Sequence, residues 1–124
     1  DWPLMQGQFF PPDAFSITPV WRNFFENAGL VQFIHRMVAY LLLAMTIMAL
    51  IKGRKSANAS TRAAFIAASI AVFGQVCLGI YVLFSGVQAH VALTHQIIAV
   101  LVWVLILRAR FLSGYPITDA IRRG

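Results

Sequence analysis

Two histidines are the residues best suited to chemistry. His35 lies seven residues after Ala28 and His95 six after Ala89, each about two turns into its own long apolar stretch. Both sit near the ends of those stretches that carry no basic cluster. A neutral imidazole is a strong metal ligand, and a ligating or ionisable side chain inside a bilayer is costly to keep, so it reads by default as functional. Two such side chains at one depth are the donor set for a flat, metal-centred cofactor clamped between two helices. The competing reading is a pair of structural histidines that only hydrogen-bond.

The elements that must position them follow from composition. Of 124 residues, 60% are hydrophobic and 11% charged, and the mean hydropathy is +0.75. That balance belongs to a polytopic membrane protein rather than a soluble domain. Three stretches, 28–51, 63–84 and 89–107, are long enough to cross a hydrocarbon core of about 30 Å at about 1.5 Å per residue. The expected class is therefore all-α integral membrane.

The net charge of +6 is unevenly placed. Lys52, Arg54, Lys55 and Arg62 fill the first connection, and Arg108, Arg110, Arg122 and Arg123 follow the third span, so eight of ten basic residues fall on one side. This positive-inside asymmetry puts the C-terminus on the cytoplasmic side, or the matrix side in a mitochondrial inner membrane, and argues against nucleic acid as the reason for the charge. His35 is 17 residues from Lys52, roughly 25 Å of helix, and His95 is 13 from Arg108, roughly 20 Å. The two rings thus lie at levels that agree within about one turn, a necessary condition for holding one iron from opposite sides.

Neighbouring positions suit a flat group. Ala28, Gln32, Ala39 and Leu42 share the face of His35, and Ala92 and Ala99 that of His95, although small residues also serve plain helix packing. Arg36 is the one charge within the outer half of a span, placed to pair with a cofactor carboxylate or to snorkel to the interface. Gln32 and Gln96 are placed to hydrogen-bond beside the histidines, and Gln75, among Ala67, Ala71, Gly74 and Gly79, to hydrogen-bond between helices. His90 reads as interfacial. Cys77, the single cysteine, reads as an inert buried thiol, and no disulfide can form within the chain.

Residues 1–27 read as an outer-side loop with an interfacial aromatic segment, including a short helix over 18–27 with Pro19 in its first turn. Residues 28–110 read as the three-span bundle. Residues 111–124 read as a cytoplasmic tail with a short amphipathic piece ending at Arg122 and Arg123. An odd number of spans puts residue 1 outside with no signal peptide to carry it there, so at least one further span is expected upstream.

The runs Trp2-Pro3-Leu4-Met5, Pro11-Pro12, Trp21 through Asn27, Val31-Gln32-Phe33-Ile34-His35-Arg36, Gln75 to Gly79, and Leu93-Thr94-His95-Gln96 carry a family likeness. Together they resemble the C-terminal half of heme A synthases of the alphaproteobacterial and mitochondrial type. The resemblance covers nearly the whole chain. It implies two similar four-helix bundles in the complete protein, with this chain supplying three transmembrane helices of an incomplete antiparallel four-helix bundle and lacking the N-terminal bundle.

It further implies that His35 and His95 are the axial ligands of heme b (iron, bis-histidine), with Arg36 and Gln32 beside it. The family oxidises the C8 methyl of heme O to the formyl of heme A for cytochrome oxidase assembly, and its essential glutamate, three residues before a histidine, belongs to the other half. Here that position is Gln32, so no catalytic residue is assigned, and this part is expected to relay electrons and to be inactive alone. Implied partners are membrane lipid, heme O and heme A, the N-terminal bundle, heme O synthase and an electron donor; the implied location is the bacterial inner membrane. A stand-alone b-type cytochrome and a non-heme assembly scaffold are the other function classes in view.

Overall fold

Residues 2–118 are described by the computed structural model. A 3-10 turn, Val20–Arg22, leads into a short helix α1, Asn23–Glu26, and three long helices follow: α2, Ala28–Gly53; α3, Ala59–Phe84; and α4, Ala89–Gly114. Among the described residues there is no strand, only a bridge between Met5 and Gln8. Each long helix has 26 residues, about 39 Å of rise, more than a hydrocarbon core of about 30 Å requires. Their outward side chains are large and apolar: Ile70 is 68% and Trp103 66% exposed, a surface suited to lipid rather than water. The chain is a multi-pass, all-helical membrane protein.

The helices outrun the apolar stretches, because a helix ends where its hydrogen bonds stop and not where the hydrocarbon does. α3 begins four residues before Ala63 because the Asn58 side chain caps it, accepting the Thr61 N–H at 2.9 Å. α4 continues seven residues past Leu107, so Arg108 and Arg110 stand on the helix, where long side chains reach the interface. The segment after Arg110 therefore starts helical. Arg122 and Arg123, with the expected amphipathic piece, lie outside the described residues.

The chain divides into two compact units, Asp1–Leu42 and Leu43–Gly124. In the first, the loop doubles back along the opening turns of α2. Met5 and Gln8 exchange backbone hydrogen bonds of 2.7 and 3.0 Å around Gln6 and Gly7, both at positive φ. Pro11 reaches the first turn of α2, where its Cβ would stand 3.1 Å from a Cβ on Gly29. Phe9 and Phe10 both pack edge-on against Phe33.

Two asparagines tie the remaining backbone. Asn23, fully buried, accepts from Ile17 N–H and donates to the carbonyls of Ile17 and Val20. Asn27 caps α2 by accepting the Leu30 N–H at 2.9 Å and donates to Asp13 O at 2.6 Å. The short helix expected over 18–27 is thus present as the turn at Val20–Arg22 and α1, with Pro19 as its N-cap. On its exposed side the hydrogen bond from Arg22 holds the Glu26 carboxyl below its ordinary value. The bond is therefore in place above the usual carboxylate range and lost as pH falls through the lowered pKa.

In the second unit α3 and α4 form an antiparallel hairpin. Thr61, Ala64, Ala68 and Val72 are buried on α3, and Val91, Val102, Ala109 and Leu112 on α4, at the mixed three- and four-residue spacing of a helix seam. Ala64, Ala68, Ala109 and Leu112 form the core, flanked by Phe65, Leu105 and Ile106. Thr61 Oγ1 donates to Leu112 O at 2.9 Å, and Asn58 Nδ2 to Ile117 O at 2.9 Å. The opposite end closes through Gly86 at φ +72, with Val87 N–H on Val82 O and Gly86 N–H on Leu83 O. Val87 follows at φ +57, a strained conformation for a β-branched residue.

Two outcomes are expected. Asn58→Ala removes a cap and the tie to Ile117, and should lower hairpin stability by about 1–2 kcal/mol. Val87→Gly relieves the strain and should raise it by about 1 kcal/mol. Denaturant titration in detergent measures both, and the opposite sign for either would refute its part of the account.

Candidate functional site

The His95 side chain is half-buried within the α3–α4 hairpin, one position along the seam from Val91. Its imidazole lies over Gly79 of α3: a Cβ built on that glycine would stand 2.9 Å from Cε1, 3.5 Å from Nε2 and 3.7 Å from Nδ1. Only a residue without a side chain leaves that room. One turn earlier on α3, Gln75 Nε2 donates to the main-chain oxygen of His95 at 2.8 Å. This is the interhelical bond expected of Gln75, and it ties the backbone of the very residue whose ring Gly79 accommodates. Gln75 Oε1 is buried and has no hydrogen-bond partner among the described residues.

His35, Gln32 and Arg36 belong to the other unit and are described within it. His35 is exposed on α2, with Gln32 half-buried one turn before it. Arg36 is only 8% exposed, and its Nη1 donates to Pro3 O at 3.1 Å and Leu4 O at 3.3 Å. The guanidinium is thus turned toward the folded-back loop, whose carbonyls are among its acceptors. Gly29, Phe33 and Arg36 form the stripe that meets the loop. The His35 position lies about 100° around the helix from Arg36, with Gln32 between them.

Three further residues can be placed. His90 is exposed in the first turn of α4, and its carbonyl accepts from Thr94 Oγ1 at 2.8 Å. Gln96 is exposed. Cys77 corrects the sequence reading: it is exposed on α3 rather than buried, because the seam passes through Gln75 and Gly79 and leaves position 77 off it. Among the described residues no three of His, Cys, Asp and Glu gather into a cage for a metal ion.

Sequence reasoning did not single out Asn23, Asn27 or Asn58 as ties, although an asparagine directly ahead of an apolar helical run is a cap signal. It grouped Gly79 with small packing residues; only the fold reveals which side chain occupies the space.

Residues 1–107 match the family model COX15-CtaA, described as cytochrome oxidase assembly protein. The chain belongs to the COX15-CtaA family. Its relatives in that family include the heme A synthase of Ruegeria pomeroyi, 57% identical over 122 residues, and that of Roseobacter denitrificans, 52% identical over 122 residues. Each alignment covers 98% of this chain and 32% of the relative. The heme A synthase of Paracoccus denitrificans is 43% identical over 121 residues, with the same coverage. The chain thus spans about a third of the length of the curated relatives it matches. No solved structure matches it. The resemblance read from the Trp2, Pro11, Trp21, His35 and His95 motifs is a true family relationship.

Arg36→Met should release the carbonyls of Pro3 and Leu4. With hydrogen bonds from a charged group contributing about 2 kcal/mol, local opening of the loop should rise roughly 30-fold. Amide exchange at Met5 and Gln8 should quicken while the α3–α4 hairpin keeps its protection. Unchanged exchange at Met5 and Gln8 would refute the tether.

Proposed function

We propose that the chain is the C-terminal, heme b-binding part of a heme A synthase, which passes electrons to the half that oxidises the C8 methyl of heme O to the formyl of heme A. The observation that carries this reading is the 57% and 52% identity, across 98% of the chain, to proteins named heme A synthase. The donor chemistry supports it: two imidazoles stand on helices of membrane length, and their depths counted along the sequence from the basic ends agree within about one turn.

In this reading His35 and His95 would hold the heme iron. Bound heme supplies one-electron chemistry at a potential set by bis-histidine ligation and burial. The residues here bind, orient and insulate. Gln32, one turn before His35, carries an amide and so neither takes nor gives a proton as a carboxylate would, which leaves the oxidation of heme O to the other half.

Arg36, next to His35 in sequence and one of the few charges within a span, is assigned to a propionate contact as well as to the loop. The partners of the whole protein are heme O, heme A, an electron donor, heme O synthase and lipid. Its location is the bacterial inner membrane, with the basic end of the spans in the cytoplasm.

The test is the reduced-minus-oxidised spectrum of the full-length protein. His35→Ala and His95→Ala should each abolish the low-spin heme b signal. An unchanged spectrum in either would overturn the ligand assignment, and a full-length protein that holds the heme yet never converts heme O would indicate electron transfer alone.

A further inference from the structure

We propose that Gly79 and Gln75 are positioning residues for His95. Gly79 sets where the imidazole can stand and Gln75 holds the backbone that carries it, so that together they tune the axial ligand. The inference rests on the reading of His95 as a heme ligand and extends it to two residues of the neighbouring helix.

The argument is one of clearance. α3 carries two glycines inside its membrane span, Gly74 and Gly79. A Cβ on Gly74 would meet nothing within 4 Å, whereas one on Gly79 would press on the imidazole of His95, nearest at Cε1 (2.9 Å) and then at Nε2 (3.5 Å). Atoms do not pack at 2.9 Å from a methyl carbon, so any side chain at position 79 must turn or shift the ring. The backbone cannot easily give way instead. It is held at this height by the bond from Gln75 Nε2 to His95 O and farther along by that from Thr61 Oγ1 to Leu112 O. A ring confined on one side by the helix backbone and anchored through its own main chain has a narrow choice of plane. Were this imidazole to hold a heme iron, its orientation would tune the electronic state and potential of that iron.

The two glycines provide a matched experiment in the full-length heme-loaded protein. Gly79→Ala and Gly74→Ala add the same methyl group and the same helix propensity to one helix. Gly74→Ala should leave the low-spin ferric EPR signal, the midpoint potential and the heme-to-protein ratio as they are. Gly79→Ala should displace the EPR signal, shift the potential and lower the heme content.

Gln75→Leu keeps the glycine but removes the bond to His95 O, and should displace the EPR signal in a folded protein even if Gly79→Ala does not accumulate. The inference is overturned if Gly79→Ala matches Gly74→Ala in signal and potential, or if Gln75→Leu is spectroscopically unchanged. His95→Ala separates the premise from the inference. Retention of the low-spin signal there defeats the ligand reading itself, whereas loss of the signal there together with a silent Gly79→Ala defeats only the positioning role.

Discussion

The close approach of α3 to α4 is the constraint on which the second unit depends. Helices in hydrocarbon gain nothing from hiding apolar surface from one another, since lipid is as apolar as leucine; their association rests on dense packing and hydrogen bonds between them. Ala64 and Ala68 on one helix and Ala109 on the other keep side-chain bulk out of the seam. Polar bonds at separate heights then prevent sliding: Asn58 to Ile117, Thr61 to Leu112 and Gln75 to His95. From Thr61 to Gly79 is 18 residues along α3 and from Leu112 to His95 is 17 back along α4, so a single register satisfies the contacts at both ends. The position of the His95 ring is a consequence of that register.

The first unit solves a different problem. An irregular loop carries backbone donors and acceptors that no helix satisfies, and these must find partners. Asn23 and Asn27 supply them from the start of the helical region, and Arg36 from the third turn of α2. The loop therefore follows the stripe of Gly29, Phe33 and Arg36, off the face that holds His35. Neighbours in sequence serve different purposes: Arg36 secures the loop, while His35, about 100° around the helix, lies off the loop-bearing stripe.

The two units hold their histidines by different means. The imidazole of His95 is confined by Gly79 and carried on a backbone bonded by Gln75. His35 stands on a helix whose first turns are braced by the folded loop, through Asn27 and Arg36.

Composition and spacing alone determined the solvent, the number of long helices and the pair of candidate ligands. Each follows from physics that acts along the chain: an apolar run of membrane length must satisfy its backbone as a helix, and a histidine inside it is costly enough to be a candidate. The interhelical role of Gln75 was legible for the same reason, since an amide in hydrocarbon must find a partner. Helix ends were legible only approximately, because hydropathy marks the membrane boundary whereas Asn58 and the last turns of α4 mark the hydrogen-bond boundary. Three features were decided by tertiary structure: the seat of the His95 ring over Gly79, the capture of Arg36 by the carbonyls of Pro3 and Leu4, and the exposure of Cys77. Each depends on which face of a helix meets which neighbour, and near-uniform hydrophobicity all round a membrane helix erases the periodic signal that would disclose that face in advance.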